Sequence, residues 1–455
     1  MTTPPAATDA SELPRALGLA TATLLVVGGI IGSGIFFTPG EVARALPSGG
    51  WVLAVWAVGG LVALAGALTY AELGAMMPSA GGPYVYIREA FGALPAFLYG
   101  WMIVASIATG ALAAVAMGFA NSLARLVPLD AVGGPLAVAA AALVVLAAAN
   151  YLGVRLGAAV ANVLTVAKLA VLALIILGGL ALWSRLGDPP AVAAAPTPRA
   201  TLLLALAAAF PPVLFTIGGW QQMNMVAGEI RDPGRTIPRA LTLGIFIVIA
   251  CYLGANAVFL RALGRDGLAA SGAVAADAAV RIVGEAGARV VGVGVMLSIL
   301  GFINVALLAN ARIVFAMARD GHFLEVAARV HPRYGSPHVA IVAIGAVALA
   351  LLLLTRGDLG QLLGAVVFAD FTFFGLGAAS VFALRRQRPD AVRPYRAVGY
   401  PVVPAFFLVA AAVGVVSSFV AARRTALIGL ALLAAGAAVF ALRRRLGRAR
   451  GAAVP

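Results

Sequence analysis

The sequence predicts an all-helical (all-α) integral membrane protein that crosses the bilayer twelve times. Of its 455 residues, 62% are hydrophobic and 11% are charged, whereas about a quarter of the residues in a soluble domain are charged. So few polar side chains would not cover a soluble core of this size, and most of the surface must therefore face lipid. The apolar residues also gather in twelve runs, each close to the roughly 20 residues that a spanning helix needs.

Short polar segments separate these runs and give the predicted order of the spans. A longer amphiphilic connector at 264–286 is expected to lie outside the membrane and to contain short helices. The predicted spans are 17–44, 51–77, 94–127, 134–150, 158–184, 201–229, 238–263, 287–318, 339–355, 360–384, 399–421 and 426–442.

Arginine is distributed unequally between the two sides of the predicted membrane. Successive loops alternate sides, and those on the side of the N-terminus, with the C-terminal tail, carry more arginines. Because basic residues favour the cytoplasmic side, we expect both termini in the cytoplasm. The basic residues lie in short clusters between apolar runs, so the net charge of +15 indicates topology rather than nucleic-acid binding.

The first and sixth runs share an interruption by small residues in mid-span. A five-helix unit has an odd number of spans, so its tandem copy inserts upside down, and glycine-interrupted spans at matching positions of inverted halves indicate a mid-membrane binding site. The predicted architecture is therefore a 5+5 inverted repeat followed by two more helices. Its parts are a tail at 1–16, repeats at 17–186 and 200–385, two helices at 397–445 and a tail at 446–455.

The first interruption contains four closely spaced glycines. Unwinding there frees backbone N–H groups, and the N-terminus of the following half-helix favours a carboxylate. Gly28 and Gly32 also form a small-xxx-small pair, so a helix-packing face is an alternative interpretation. The candidate binding residues are Gly29, Ile30, Ile31, Gly32, Ser33 and Gly34.

The second interruption follows Pro211-Pro212 and is difficult to reconcile with a lipid-facing helix. Unwound carbonyl groups at this position suit an ammonium group, and Phe215 or Trp220 is placed to close over a ligand. Ordinary packing is the alternative for either aromatic. The candidate binding residues are Phe215, Thr216, Gly218, Trp220 and Gln221.

Lys168 lies in the middle of the fifth run and is the only lysine among the 32 lysines and arginines of the chain. An ionisable group inside the membrane predicts a function. A lysine can exchange a proton where an arginine does not, or it can act as a fixed cation at a sodium-like position. The alternative is a side chain that extends to the interface.

The remaining intramembrane polar residues carry weaker predictions. Glu72 and Glu229 are expected to pair with arginines, and Asn304 to bond another helix. Asp370 has either a proton-linked or a structural role. One cysteine, Cys251, and three histidines confined to one loop predict no disulfide, no metal site and no cofactor.

Several motifs together resemble the amino acid–polyamine–organocation superfamily, closest to its bacterial L-amino acid transporter branch. The resemblance extends over nearly the whole chain and implies the LeuT-type fold with helices 1 and 6 broken. The motifs are Gly32-Ser33-Gly34-Ile35-Phe36, 78–86, 215–220, 228–238, 297–304, 318–322 and 393–401.

The same resemblance implies roles for the residues of the two breaks. The substrate carboxylate would lie near Ile31–Gly34, and the amino group near the carbonyls of Ile30, Phe215, Thr216 and Gly218. Lys168, next to Gly28 and Ser298, would occupy the sodium-site region and make transport sodium-independent, while Gly29 and Gln221 would shape the side-chain pocket. Animal members pair with a glycoprotein through a cysteine after span 3, and because 127–134 has none, no disulfide-linked heavy chain is expected.

The resemblance thus implies a secondary transporter of amino acids in the plasma (inner) membrane that works by alternating access. A neutral substrate is favoured because no carboxylate lies beside either break, and exchange and proton symport both remain open. The alternatives are a polyamine or cationic amino acid permease and a non-transporting amino acid sensor. A membrane enzyme is disfavoured because the intramembrane residues form no catalytic cluster.

Overall fold

The computed structural model describes residues 13–189, 201–357, 360–421 and 423–451. Helices dominate the described residues, which contain one isolated β-bridge, between Leu17 and Ile230. The α-helices are α1 Leu19–Ile30, α2 Gly34–Ala45, α3 Gly49–Met76, α4 Pro83–Phe91, α5 Ala93–Met102, α6 Ala108–Ala124, α7 Gly134–Tyr151, α8 Val154–Ala181, α9 Leu202–Ile217, α10 Gln222–Met225, α11 Pro233–Ala270, α12 Val274–Arg319, α13 His338–Leu354, α14 Gly360–Gln387, α15 Val402–Ala421 and α16 Arg423–Gly451.

The helices agree with the predicted apolar runs. Within the described residues, ten stretches are long and apolar enough to cross a membrane, and α1 with α2, bent by 41° at their junction, makes an eleventh. The 17-residue helix α13 covers the ninth run but is shorter than the others. The all-helical, multi-spanning prediction is therefore confirmed, and the count of twelve spans stays a prediction.

Both predicted mid-span interruptions are present. Residues 31–33 separate α1 from α2, and residues 218–221 separate α9 from α10. In the second break Gly219 has a φ of 107°, which L-residues with a side chain rarely adopt. The glycines that suggested unwinding therefore lie at the points where the helices end.

The connector at 264–286 is made of short helical segments, as predicted. Helices α11 and α12 each contain a non-helical residue at which the chain bends, Gly264 with a φ of 69° and Gly284 with a φ of 76°. The segments between these two glycines therefore depart from the long axes of the two spans.

The broken helices lie at the centre of the bundle. Helix α1 packs against α8, α11 and α12, and α9 packs against α2, α3 and α15. A π-helical turn at Ile103–Ile107 joins α5 to α6, and such turns are frequent at functional sites.

Candidate functional site

The first break exposes the start of α2. One backbone hydrogen bond runs within the break, from Gly32 N to the carbonyl of Ile30 at 2.9 Å. Another runs into the first turn of α2, from Phe36 N to the carbonyl of Ser33 at 3.1 Å. Because the first N–H groups of a helix have no partner within that helix, Ser33 and Gly34 present donors to an incoming group. The α2 N-terminus is thus a polar, partially positive surface.

The second break brings a carbonyl-rich helix end to the same place. Tyr252 on α11 donates its hydroxyl to the carbonyl of Ile30 at 3.3 Å and to that of Thr216 at 3.2 Å. The ends of α1 and α9 therefore meet through one buried phenol. The side chain of Gln221 accepts a bond from Gly219 N at 3.0 Å, which satisfies one amide freed by the break.

The two breaks also touch through their backbones. A Cβ atom built on Gly219 would collide with the carbonyl oxygen of Gly29. One built on Gly34 would lie 2.6 Å from Cγ2 of Thr216. Only glycine permits these approaches, so the small residues serve close backbone contact as well as unwinding.

A cavity of about 290 Å³ lies between the breaks, near the lower end of the size range of small-molecule sites. It is lined by residues of α6, α12, α14 and the π-turn in addition to the two breaks. Of the predicted binding residues, those that line it are Ile30, Gly32, Ser33, Gly34, Phe215, Thr216, Gly218 and Gln221.

Three predicted binding residues do not line this cavity. Gly29 and Ile31 are buried behind its wall. Trp220 packs edge-on against Tyr70, with ring centroids 5.0 Å apart, and against Phe407 at 5.7 Å. Phe215 is 44% exposed at the cavity, so of the two aromatics it is the one placed to cover a ligand.

Lys168 is fully buried beside the first break. Its ammonium donates to the carbonyl oxygens of Gly28 at 3.1 Å and Ser298 at 3.4 Å, and also to that of Ile31. The hydroxyl of Ser298 donates to the carbonyl of Gly32 at 3.0 Å. The structure therefore brings Lys168, Gly28 and Ser298 together, and their donors satisfy carbonyls that the break releases.

Ion pairs lie at the N-terminal side of the cavity. Arg312 bonds Glu229 at 2.7 and 3.0 Å, and Arg385 bonds Glu72 at 2.9 and 2.6 Å. Both glutamates thus pair with arginines as predicted. The backbone amides of Ala16 and Leu17 bond the carbonyl of Glu229 at 2.9 Å, which ties the N-terminal segment to the same cluster.

A second ionic cluster covers this side near α4. Arg88 pairs with Asp320 at 2.5 Å, and Tyr84 donates to Asp320 at 2.8 Å. The Tyr84 hydroxyl also lies 2.8 Å from Nδ1 of His322, and burial lowers the pKa of that imidazole. These contacts link α4 to the end of α12.

Asn304 and Asp370 occupy different environments. Asn304 accepts a bond from Asn150 at 2.8 Å and donates to the carbonyl of Gly157 at 2.8 Å, so it joins helices as predicted. Asp370, on α14, lines the cavity. The premise that no carboxylate lies near the breaks is therefore wrong, because α14 folds back from a distant part of the sequence.

Sequence reasoning missed several residues of the site. Tyr252 and Tyr99 lie within long apolar helices, where a tyrosine alone gives no signal for a role. Arg312 lies inside a predicted span, and the comparison of arginines between the loops therefore did not include it. Among the described residues, no group of three or more His, Cys, Asp or Glu side chains is placed to hold a metal ion.

Comparisons with known proteins identify the family of this chain. The profile of the amino acid permease family matches residues 17–440. The b(0,+)-type amino acid transporter 1 of Homo sapiens is 32% identical over 85% of this chain and 79% of its own length. The serine/threonine exchanger SteT of Bacillus subtilis is 32% identical over 87% of this chain and 89% of its own.

A third relative extends the same pattern. The large neutral amino acids transporter small subunit 2 of Homo sapiens is 34% identical over 84% of this chain and 72% of its own length. These relatives are transporters rather than enzymes. The chain is a multi-pass membrane protein that belongs to the amino acid permease family of the amino acid–polyamine–organocation superfamily.

Proposed function

We propose that this protein carries L-amino acids across the plasma membrane by alternating access, with the substrate backbone bound between the two helix breaks. One observation carries the proposal: the amide-rich start of α2 and the carbonyl-rich ends of α1 and α9 face one cavity. Helix N-termini favour anions and C-termini favour cations. The pair therefore matches the two charges of an amino acid zwitterion.

The contacts of the breaks support a position for each charged group. The substrate carboxylate lies at the amides of Ser33 and Gly34, which are half-buried around the cavity. The ammonium lies at the carbonyls of Ile30 and Thr216, which Tyr252 already brings together. The carbonyl of Phe215 accepts a bond from Gly218 N at 3.2 Å, so it is a secondary acceptor.

Sodium-independent transport follows from the position of Lys168 in this proposal. Carbonyl and hydroxyl oxygens around the first break resemble the oxygen sets that bind hard cations. The ammonium of Lys168 donates to three carbonyl oxygens there, so a fixed positive charge stands where a metal cation would otherwise bind.

The proposed topology has twelve spans in a LeuT-type 5+5 arrangement, with both termini cytoplasmic. The cavity is lined by Ala108 to Gly118 of α6, on the side opposite the N-terminus, whereas the ion pairs of Glu229 and Glu72 lie on the N-terminal side. This arrangement corresponds to an outward-facing state whose cytoplasmic side is closed. No disulfide-linked heavy chain is part of the proposal.

Exchange and proton symport are both compatible with these contacts. Exchange is favoured by the similarity to the Bacillus subtilis relative, which is a serine/threonine exchanger. The expectation of a neutral substrate has lost its premise, because Asp370 lines the cavity. The side-chain class is therefore argued separately below.

Counterflow in proteoliposomes tests the transport proposal. Vesicles that contain the purified full-length chain are loaded with one unlabelled amino acid, and uptake of labelled neutral and cationic amino acids and of putrescine is measured at two pH values. We expect accumulation of at least one L-amino acid, equal in sodium and in choline buffer. Binding without flux would instead support a sensor, and accumulation of putrescine alone would overturn the assigned carboxylate site.

A further inference from the structure

Asp370 is a charged residue in an otherwise uncharged cavity. The described residues that line the cavity include three carboxamides, several hydroxyls and many apolar side chains, but no arginine, lysine or histidine. Lys168 lies behind the first break and donates to carbonyl groups there. The lining of the cavity therefore has a formal charge of −1.

No hydrogen bond or ion pair of the Asp370 side chain occurs among the described residues, in contrast to the other carboxylates of the membrane interior. Glu72 is paired with Arg385, and Glu229 is paired with Arg312. A carboxylate in a medium of low dielectric is costly unless a cation or a proton neutralises it. A cationic occupant of the cavity would supply the partner that Asp370 lacks among the described residues.

The charges of the substrate backbone do not provide that partner. In the function proposed above, the ammonium is satisfied by the carbonyls of Ile30 and Thr216 and the carboxylate by the start of α2. Both sites lie on the broken helices, whereas Asp370 lies on α14, a different helix that also lines the cavity. The carboxylate of Asp370 thus faces the space that remains for the substrate side chain.

The residues around Asp370 suit a long side chain with a charged end. Phe371 and Phe374, the next residue and the one a helical turn away, also line the cavity. Aromatic rings pack against a methylene stem and attract a cation over their faces. Tyr99 also lines the cavity and adds a polar group, since its buried hydroxyl has no hydrogen-bond partner among the described residues.

We propose that Asp370 forms a subsite for the positively charged side chain of the substrate, so that this permease takes cationic amino acids with an ammonium or guanidinium end. The inference rests on the proposed function, because it uses the assigned positions of the substrate carboxylate and amino groups. A neutral apolar side chain would bury Asp370 without a partner. A lysine-like side chain would pair with it and fill the aromatic part of the cavity.

The test compares L-lysine with L-norleucine, which has the same carbon skeleton and lacks the terminal ammonium. Both compete against a labelled substrate in counterflow into proteoliposomes that contain the full chain. We expect L-lysine to compete at least about tenfold better in the unsubstituted protein, and Asp370→Asn to reduce that preference to about twofold or less, since a lost buried charge pair weakens binding by about tenfold or more. Asp370→Glu should retain a preference for L-lysine.

Thr372→Ala is the matched control on the same helix. The Thr372 hydroxyl bonds the carbonyl of Phe368 at 2.9 Å, and the residue is not among those that line the cavity, so the L-lysine preference should be unchanged. If Asp370→Asn does not fold, the comparison of L-lysine with L-norleucine in the unsubstituted protein still tests the preference for a cationic side chain.

Two results would overturn the inference. One is equal competition by both amino acids, and the other is an L-lysine preference that persists in Asp370→Asn. In the second case, a changed pH dependence of transport in Asp370→Asn would identify Asp370 as a proton site instead. Exchange of neutral amino acids with L-lysine excluded would refute this inference alone. Absence of flux with every amino acid would refute the proposed function instead.

Discussion

At the scale of single residues, the site depends on backbone contacts that only a few side chains permit. Gly219 combines a φ of 107° with direct contact to Gly29, and Tyr252 spans the two helix ends. The sequence revealed the glycines because they interrupt apolar runs. It did not reveal the tyrosine, because its role depends on which helix ends lie beside it.

Gly219→Ala should reduce transport by at least about tenfold. The alanine Cβ would meet the carbonyl of Gly29, and the left-handed backbone conformation adds strain of about 1–3 kcal/mol. The matched control is Gly292→Ala, where an added Cβ meets nothing within 4 Å. Initial rates of counterflow, with thermal unfolding of the purified variants, measure the effect, and equal rates for the two variants would contradict it.

Lys168→Ala should abolish transport or remove its pH dependence while the protein still inserts. The substitution leaves the carbonyls of Gly28 and Ile31 without their ammonium donor, and such unsatisfied groups are costly in a membrane interior. Val163→Ala, on the same helix at a residue that is 69% exposed, serves as the control. Flux equal to that of the unsubstituted protein, with unchanged pH dependence, would exclude the proposed role of Lys168.

At the scale of helices, the apolar runs predicted the elements well because lipid demands long, continuous hydrophobic segments. The two breaks were predictable for the same reason, since glycine and proline interrupt that pattern. The position of α14 relative to the breaks was not predictable. Tertiary packing brings Asp370 to the cavity across more than 140 residues, and one sequence contains no signal for that approach.

Removing one member of the buried ion pair between α12 and the segment after α10 should destabilise the protein strongly. The side chains of Arg312 and Glu229 are 1% and 0% exposed, and removing one member of such a pair costs about 3–5 kcal/mol. Arg312→Met should therefore lower the unfolding temperature clearly, and adding Glu229→Leu should restore part of the loss. Arg319→Ala, at an exposed position of the same helix, is the control.

Thermal unfolding in detergent compares these variants. The partial recovery in the double variant is the decisive observation, because it separates an uncompensated charge from a simple loss of packing. A double variant that is less stable than Arg312→Met would refute the account of the pair.

At the scale of the whole molecule, the cavity and the ion pairs lie on opposite sides of the broken helices. The cavity extends along α6 toward Gly118, whereas the pairs of Glu72, Glu229 and Asp320 close the side of the N-terminus. A transporter that alternates between two states must open the second side while it closes the first. In the proposed alternating-access cycle, we expect these ionic contacts to rearrange when the cytoplasmic side opens.

Cysteine accessibility tests both the orientation and the alternation. In a Cys251→Ser background, Ala111→Cys places a thiol at the cavity and Glu325→Cys places one at an exposed position on the N-terminal side. In intact cells, a membrane-impermeant maleimide should label residue 111 but should label residue 325 only after permeabilisation. A transported amino acid should slow labelling at residue 111, because it fills the cavity, and leave labelling at residue 325 unchanged. Labelling of residue 325 from outside would show that the proposed topology is inverted. Labelling of residue 111 at the same rate with and without substrate would show that this cavity is not part of the transport path.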